Sequence, residues 1–289
     1  MQLYMPWLSI SQEHKVHKRD KNWYSQTMAK QKGKADGETL FGAYYQDIYQ
    51  ERWESLKAAL IKDKVPITYT DGLIQPYYLD EASVLAAKLL GVERGETVLD
   101  MCAAPGGKTL VLASSLHGDG LLVSNDRSSA RRARLKQVVK DHLSAEDQRC
   151  IKITAHDATR WSLYEQNRYD KILLDAPCSS ERHVLHDPKA LAMWSPSRPK
   201  RLAITQFAML AAALEAVKKG GYILYSTCSI NPMENEQVVE KLFEKRVGRF
   251  TIMESTQVGS EERKYGSLIL PDRGEGRGPL YFCLIRRDV

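Results

Sequence analysis

Features that would assign the chain to several common protein classes are missing from its 289 residues. No apolar run approaches the length of a membrane span, and the first residues lack the basic-then-apolar order of a secretory signal. The five cysteines are widely spread and form no Cys-x-x-Cys pair, which argues against a disulfide framework and against a zinc site. These absences predict a cytosolic protein whose cysteines are free thiols.

The composition fits a folded protein with a modest basic excess. Hydrophobic residues make up 43% of the chain, which is enough for a sizeable core, and Lys plus Arg exceed Asp plus Glu by 42 to 36. A net charge of +6 favours a polyanionic partner, although an ordinary solvated basic surface explains it equally well. Seven basic residues fall within 11–34, so we predict either a phosphate-contacting arm or a solvated tail there.

The pattern of apolar residues predicts an α/β fold. Residues 40–61 carry apolar and aromatic side chains at helical spacing, which predicts an amphipathic helix packed on the main domain. Beyond residue 95, strands alternate with helices such as 202–217, which is typical of a Rossmann-like sheet with helices on both faces. Seven strands of a mostly parallel sheet are predicted, at 98–100, 121–126, 151–154, 169–175, 222–226, 250–253 and 280–285.

A turn of small residues, 103–107, joins the first strand to a helix. Such a turn leaves the backbone bare, so a ligand can approach the amide groups at the start of the helix. The glycines lack the spacing of the dinucleotide fingerprint and of the full P-loop, so neither a nicotinamide cofactor nor ATP is the first choice. The alternative is a tight strand-to-helix turn that binds nothing.

Acidic residues end or directly follow four successive strands: Asp100, Asp126, Asp157 and Asp175. The carboxyl ends of parallel strands lie at the same edge of the sheet, so these carboxylates should line a common crevice. Carboxylates accept hydrogen bonds from ribose hydroxyls and from an adenine amino group, so the pattern favours a ligand that contains a nucleoside. Each aspartate taken alone is equally compatible with an ordinary turn.

Two cysteines, Cys178 and Cys228, directly follow the fourth and fifth predicted strands and should face the same crevice. The thiolate form of cysteine is a strong nucleophile, and it forms at neutral pH when neighbouring groups lower the pKa of the thiol from about 8.5. The alternative for any single cysteine is a buried, inert side chain. We predict that structural role for Cys102, Cys150 and Cys283.

Three motifs in order resemble the Sun/RsmB family of S-adenosylmethionine-dependent RNA (cytosine-5) methyltransferases. They are Asp-Met-Cys-Ala-Ala-Pro-Gly-Gly-Lys-Thr at 100–109, Asp-Ala-Pro-Cys-Ser at 175–179, and Ser-Thr-Cys-Ser at 226–229 with Glu-Asn-Glu at 234–236. The resemblance covers roughly residues 75–289. Within the family, the sequence is similar to the branch that contains the mitochondrial small-subunit rRNA enzyme. It implies a class I methyltransferase fold, S-adenosylmethionine as cofactor and RNA as substrate.

The resemblance also implies roles for individual residues. Asp126 would hold the ribose, Asp157 would reach the adenine, and Arg131 matches a cofactor-side arginine of the family. The residues implied at the cofactor are Cys102, Ala103, Ala104, Pro105, Gly106, Gly107, Lys108, Asp126, Arg131, Asp157 and Asp175. The family's nucleophile is the cysteine of the Thr-Cys motif, here Cys228, while Cys178 would assist its release.

The implied reaction explains why two thiols are needed. Cytosine C5 is a poor nucleophile until the Cys228 thiolate adds to C6, with Asp175 hydrogen-bonded to the base edge. Cys178 would act as a proton carrier when Cys228 leaves, and no metal takes part. The target cytosine should be unpaired or flipped out of a helix. Candidate RNA contacts, each equally compatible with plain surface, are Lys108, Arg182, His183, Lys189 and the basic cluster at 198–201.

Several alternatives remain open at this point. We expect residues 1–70 to form a basic arm with a helical extension, and residues 71–289 to form the methyltransferase domain. Longer relatives carry a separate RNA-recognition domain, so target selection here would rest on the arm, on a ribosomal particle or on a partner protein. We expect a monomer acting on small-subunit rRNA. The alternatives are a tRNA substrate, a catalytically silent RNA-binding scaffold and a small-molecule methyltransferase.

Overall fold

The computed structural model describes residues 36–255 and 257–289 of the chain. The basic stretch 11–34, predicted to form an arm or a tail, lies outside the described residues. Within the described ranges, no helix combines the length and the apolar character that crossing a membrane requires.

The described chain opens with two helices, α1 (Gly37–Tyr49) and α2 (Trp53–Ile61). The spacing of residues 40–61 predicted one amphipathic helix, but the left-handed backbone of Gln50 (φ 51°) interrupts it at a 3-10 turn. The Tyr45 ring lies 5.4 Å from the Trp53 ring and 6.0 Å from the Trp194 ring, measured between centroids. These aromatic contacts join the helix pair to the main core.

Two short antiparallel strands, β1 (Ile67–Tyr69) and β2 (Tyr77–Leu79), precede the main sheet. The main sheet contains nine strands in the described chain, and all seven predicted strands are among them. The strands are β3 (Thr97–Asp100), β4 (Leu121–Asn125), β5 (Ile151–Thr154), β6 (Tyr169–Asp175), β7 (Val217–Thr227), β8 (Phe250–Met253), β9 (Ser260–Glu262), β10 (Ser267–Ile269) and β11 (Leu280–Arg287). Strands β3 to β7 are parallel, in the spatial order β5-β4-β3-β6-β7.

The antiparallel part of the sheet is built around β11, which pairs with β7 along one edge. Its other edge is shared, because its first half pairs with β10 and its second half with β8. The sequence pattern does not predict β9 and β10. Each has three residues, too few for an alternating pattern to be recognised.

Helices cover both faces of the sheet. Beyond α2 they are α3 (Glu81–Leu89), α4 (Gly107–Leu116), α5 (Ser129–His142), α6 (Ala145–Arg149), α7 (Glu181–His186), α8 (Pro188–Ala192), α9 (Ser197–Ala216) and α10 (Glu236–Lys245). One core contains side chains of α3, α4 and α5, and the other contains side chains of α1, α2, α9 and α10. Leu173 of β6 enters the first core, whereas Ile172 and Leu174 enter the second. Burial on both faces explains why adjacent residues of β6, Ile172 to Leu174, are all apolar and do not alternate with polar ones.

The junction of α9 and β7 differs from the prediction, which placed the helix at 202–217 and its end at two glycines, Gly220 and Gly221. The helix begins at Ser197 and ends at Ala216, and β7 starts at the next residue. The glycines lie inside β7, at an irregularity in its pairing with β6. A Cβ on Gly221 would lie 2.7 Å from the Asp170 carbonyl oxygen, so the close approach of the two backbones requires glycine.

Candidate active site

A cleft opens at the carboxyl ends of β3, β6 and β7, the edge at which open parallel sheets bind ligands. Its cavity has a volume of about 260 Å³ and is lined in part by the loops that follow these three strands. Seven residues predicted to be functional line it: Cys102, Ala104, Lys108, Arg131, Asp175, Cys178 and Cys228. Residues that are far apart in the sequence therefore meet in one place.

The loop between β3 and α4 passes very close to neighbouring elements. Gly106 has a φ of 127°, and a Cβ on it would lie 2.9 Å from Val138 Cγ1 and 3.2 Å from Leu135 Cδ1, both on α5. The Ala103 amide donates to the Asn125 carbonyl oxygen at 2.8 Å, which ties the loop to β4. The loop thus has a fixed shape at the start of α4.

Replacing Gly106 by alanine should destabilise the protein by about 1–3 kcal/mol, because alanine disfavours this φ and its methyl group would press on α5. Gly42 of α1 is the matched control, since a Cβ there has no neighbour within 4 Å. Gly42→Ala should stabilise the protein by about 0.5–1 kcal/mol through helix propensity. Urea unfolding of both variants tests this, and equal shifts would argue against a strained loop.

Asp126 directly follows β4 and is buried. Its Oδ1 accepts a hydrogen bond from the Ser128 amide at 2.9 Å, while its Oδ2 accepts none from the described residues, although Arg131 Nη1 lies 3.3 Å away. Arg131 also donates through Nη2 to the Ala104 carbonyl oxygen. Asp126 therefore keeps a buried carboxylate oxygen that can accept a hydrogen bond from a ligand hydroxyl.

Asp157 follows β5 at the start of a 3-10 turn, Ala158–Leu163. Its Oδ1 accepts hydrogen bonds from the Thr159 amide at 3.0 Å and the Thr159 hydroxyl at 2.7 Å, and these bonds lower the pKa of Asp157. Its Oδ2 lies 3.4 Å from Nη1 of the exposed Arg127. The carboxylate is fixed as an anion, and Oδ2 is the oxygen that a ligand could share with Arg127.

Asp175 ends β6 within the cleft. Its Oδ2 lies 2.7 Å from Lys108 Nζ, and its Oδ1 accepts a hydrogen bond from Ser226 Oγ at 3.1 Å. Burial acts to lower the pKa of Lys108, but the charge of Asp175 and its hydrogen bond to Lys108, together with the charges of Cys228 and Asp100, outweigh burial and raise it. Lys108 is therefore a fixed positive charge between the β3–α4 loop and Asp175.

The two predicted thiols meet in the cleft, with Cys178 Sγ 3.1 Å from Cys228 Sγ. They are brought together because the parallel neighbours β6 and β7 end side by side. Ser180 Oγ lies 3.2 Å from Cys228 Sγ and 3.5 Å from Cys178 Sγ. Sequence reasoning missed Ser180, whose only signal is its position just after the Asp-Ala-Pro-Cys-Ser motif.

The pKa values of the two thiols are shifted in opposite directions. A hydrogen bond from Cys178 lowers the pKa of Cys228 to about 7, and the Ser180 hydroxyl and the Lys108 charge act in the same direction against burial. The same thiol pairing, together with burial, raises the pKa of Cys178 well above its ordinary value. Cys228 is thus the thiol that ionises first as the pH rises through neutrality, while Cys178 keeps its proton and donates it to the Cys228 sulfur.

Alkylation by iodoacetamide should reveal this acidity. The rate at Cys228 should rise about tenfold per pH unit below pH 7 and level off above it, because only the thiolate reacts. Cys102 and Cys283 serve as internal controls, since burial raises the pKa of both thiols. Mass spectrometry of peptides after timed alkylation measures all three rates, and a Cys228 midpoint near pH 9 would contradict the assignment.

The predicted RNA contacts have different surroundings. Arg182 and His183 line a second cavity of about 380 Å³ that also reaches Cys228. The Arg182 guanidinium donates to the carbonyl oxygens of Lys62 at 2.6 Å and Gly278 at 3.3 Å, and His183 is exposed. Lys189 and the basic residues at 198–201 line neither cavity.

Residues 87–283 match the sequence model of a family described as 16S rRNA methyltransferase RsmB/F. The chain belongs to this family. The match contains all three motifs from which the resemblance was inferred, so that inference is confirmed.

Curated relatives include rRNA and tRNA enzymes. The chain is 36% identical over 234 residues to the 5-cytosine rRNA methyltransferase NSUN4 of Bos taurus, covering 75% of this chain and 60% of the relative. It is 32% identical over 231 residues to a Danio rerio protein named tRNA (cytosine(34)-C(5))-methyltransferase, mitochondrial, covering 76% and 62% respectively. The chain thus spans about 60% of the length of the relatives it matches.

The predicted cytosolic location is wrong, because the relatives include an enzyme named as mitochondrial. The prediction depended on the absence of a membrane span and of a secretory signal. Neither absence distinguishes the cytosol from the interior of an organelle, so the inference lacked a physical basis.

A solved structure of a methyltransferase homolog protein from Pyrococcus horikoshii superimposes with a TM-score of 0.69 at 21% identity. The similarity covers 89% of this chain and 96% of that one. At this identity the likeness establishes the fold. The predicted class, a Rossmann-like, mostly parallel sheet with a helical N-terminal extension, is confirmed.

Proposed function

We propose that the chain transfers a methyl group from S-adenosylmethionine to C5 of a cytosine in rRNA, through a covalent bond between Cys228 and C6 of the base. The observation that carries the proposal is the pair of thiols 3.1 Å apart in the cleft, with their opposite acidities. Membership of the RsmB/F family and the name of the Bos taurus relative support it. A silent RNA-binding scaffold would give no reason for such a pair.

The cleft and the neighbouring strand ends contain groups that fit S-adenosylmethionine. Asp126 offers a buried carboxylate oxygen without a hydrogen bond, which suits a ribose hydroxyl, and we assign Asp157 to the adenine. We assign the loop 102–108 to the methionine end, where Arg131 holds the loop through Ala104. When bound, S-adenosylmethionine supplies the electrophilic methyl group that C5 accepts.

The chain's own residues account for the remaining chemistry. The Cys228 thiolate adds to C6 and moves electron density to C5, while Asp175, charge-paired with Lys108, contacts the base edge. Transfer of the C5 proton to a water molecule later re-forms the C5–C6 double bond, breaks the C6–S bond and releases Cys228 as a thiolate. Cys178 stabilises the leaving thiolate with the hydrogen bond that it also donates in the free protein. We assign Arg182 and His183 to the RNA flanking the target, because they line the cavity next to Cys228.

Methylation assays test the proposal. The full chain, S-adenosylmethionine and deproteinised small-subunit rRNA should yield a cytosine that resists bisulfite conversion, and total RNA from cells lacking the gene should lose protection at the same position. The matched control is the chain with Cys228→Ala. If no RNA cytosine gains or loses protection in either setting, the proposed activity is refuted.

A second candidate substrate is tRNA, which the name of the Danio rerio relative favours. The same assay with tRNA in place of rRNA separates the two candidates. Protection of a tRNA cytosine, with rRNA unchanged both in vitro and in cells, would replace rRNA by tRNA as the substrate.

We further propose that residues 1–70 form the arm and extension, and that residues 71–289 form the methyltransferase domain. The chain would act as a monomer, with a partner protein or a ribosomal particle selecting the target. The packing of α1 and α2 into the core shared with α9 and α10 supports a contribution of the extension to stability. Light scattering of the purified chain, alone and mixed with ribosomal particles, tests the oligomeric state.

A further inference from the structure

Two glutamates beneath the cysteine loops have no exposed surface. Glu181 begins α7 after the Cys178 loop, and Glu234 lies in the segment that joins β7 to α10 after Cys228. Within 36–255 and 257–289, neither carboxylate forms an ion pair with a basic side chain. A buried carboxylate without a cation is costly, and the reaction steps above give neither residue a role.

Glu234 holds the loop that carries Cys178. Its Oε2 accepts hydrogen bonds from the Ser179 amide at 2.9 Å and from Gln206 Nε2 at 3.0 Å, and its Oε1 accepts one from the Ser179 hydroxyl. Ser179 directly follows Cys178. The carboxylate therefore fixes the peptide unit that joins these two residues.

Glu181 holds the loop that carries Cys228. Its Oε2 accepts a hydrogen bond from the Ile230 amide at 3.0 Å, and its Oε1 accepts one from the Tyr45 hydroxyl of α1 at 2.5 Å. Each carboxylate therefore fixes the loop that precedes the other glutamate: Glu234 fixes the Cys178 loop, and Glu181 fixes the Cys228 loop. A change at either glutamate should alter the position of one thiol relative to the other.

Ser229 joins the two carboxyl groups. Its Oγ lies 3.0 Å from Glu181 Oε1 and 3.1 Å from Glu234 Oε1, and it accepts a hydrogen bond from the Asn231 amide at 3.0 Å. A serine hydroxyl has one hydrogen and can donate to only one of the two oxygens. If both glutamates were ionised, the other oxygen would face the hydroxyl oxygen with no hydrogen between them. One proton on either glutamate completes the set of hydrogen bonds.

We propose that Glu181 and Glu234 share one proton through Ser229, and that the pair acts as positioning residues that hold the Cys178 and Cys228 thiols at bonding distance. Its importance for methyl transfer rests on the proposed function. The shared proton and the thiol geometry do not, and they can be tested without RNA.

The surroundings of the pair favour a single negative charge. Burial, followed by the charge of Glu234, raises the pKa of Glu181 to about 8, and burial raises the pKa of Glu234. Burial also raises the pKa of the nearby tyrosines, so they stay neutral near pH 7. The titratable and charged groups that face the pair are Tyr44, Tyr45 and Tyr49 of α1, Tyr225 of β7, Cys178, and Arg198 of α9 through the Ser179 carbonyl oxygen.

Cross-linking of the thiols tests the proposal on the full chain. Dibromobimane becomes fluorescent when it bridges two neighbouring thiols, so its rate reports the Cys178–Cys228 geometry. Glu181→Ala or Glu234→Ala should slow bridging about tenfold, because buried amide groups lose their acceptors. Either single Gln variant should restore bridging to within about twofold of wild type, since an amide group donates where the shared proton did.

The double variant Glu181→Gln/Glu234→Gln tests whether the pair holds one proton and not two. Two amide groups and the Asn231 amide would then offer three donors to a Ser229 oxygen with two lone pairs, so bridging should fall to the level of the Ala variants. Cys178→Ser sets the background, and Glu236→Gln is the matched control because Glu236 has no hydrogen bond to either loop in the described chain. Single Gln variants as slow as Ala, or a double Gln variant as fast as wild type, would overturn the shared proton.

The pH dependence of stability supplies a second readout, which remains available if the Ala variants fail to fold. Between pH about 4.5 and about 8 the unfolded chain has released the Glu181 proton that the folded protein retains. Stability of the wild type should therefore fall with rising pH in this window relative to Glu181→Gln. A difference that stays flat or changes sign would refute a retained proton. Neither readout uses RNA or S-adenosylmethionine, so a failed methylation assay leaves both tests intact.

Discussion

Cys178→Ala should accumulate a covalent complex between the chain and its RNA, whereas Cys228→Ala should form none. With Cys178 removed, Cys228 can still add to C6, but its sulfur leaves without the hydrogen bond that now spans 3.1 Å. With Cys228 removed, no bond to C6 forms, and turnover should fall at least roughly 1000-fold. Denaturing gels with end-labelled RNA detect the complex, and a methyl-transfer assay measures turnover.

Cys150→Ala is the matched control for these variants. Cys150 directly precedes β5, and its thiol donates at 3.0 Å to the carbonyl oxygen of Gly118, which precedes β4. The thiol thus lies at the amino ends of the parallel strands, away from the cleft, so both adduct level and turnover should match wild type. A complex that forms with Cys228→Ala and is missing with Cys178→Ala would exchange the roles of the two cysteines. No complex with either variant, alongside normal methylation by both, would rule out a covalent route.

Most of the sheet could be predicted because burial on both faces leaves a simple pattern. Within residues 169–175, three consecutive apolar residues at 172–174 precede an acid, and the segment forms β6. The break between α1 and α2 could not be predicted, since it depends on the left-handed backbone of one residue, Gln50, which has no special preference for it. The short strands β9 and β10 depend on long-range pairing, since β10 pairs with β11 and β9 pairs with β10.

The part of the site that could be predicted is the part in which the strand order alone brings residues close together. Cys178 and Cys228 follow parallel neighbours, so any sheet with this strand order brings them together. Glu181 could not be recognised, because an acidic residue at the start of a helix is ordinarily a solvated group that favours the helix dipole. Its burial results from α1, whose Tyr45 lies far away in the sequence and covers it. A contact between residues so far apart leaves no pattern in the local sequence around Glu181.

Lys108→Met should reduce methyl transfer about 100- to 1000-fold while the protein stays folded. The substitution removes the cation that lies 2.7 Å from Asp175 Oδ2, so this carboxylate would face the target base without its partner. It also removes a charge that lowers the pKa of Cys228, so less thiolate forms at neutral pH. Both effects act on the chemical step. The fall should therefore appear in kcat, measured with saturating RNA and S-adenosylmethionine.

Lys218→Met provides a control with the same geometry outside the cleft. Lys218 Nζ of β7 lies 2.7 Å from Asp170 Oδ1 of β6, which is the same distance as in the Lys108–Asp175 pair, but at the end of the sheet away from the cysteines. Its loss should change kcat less than about twofold, because the ion pair is partly exposed and distant from the reacting atoms. The double variant Lys108→Met/Asp175→Asn should lose much less than the product of the single losses, since each single change already breaks the same pair. Losses that multiply would mean that Lys108 and Asp175 act independently, and the charge pair would then have no part in activating the base.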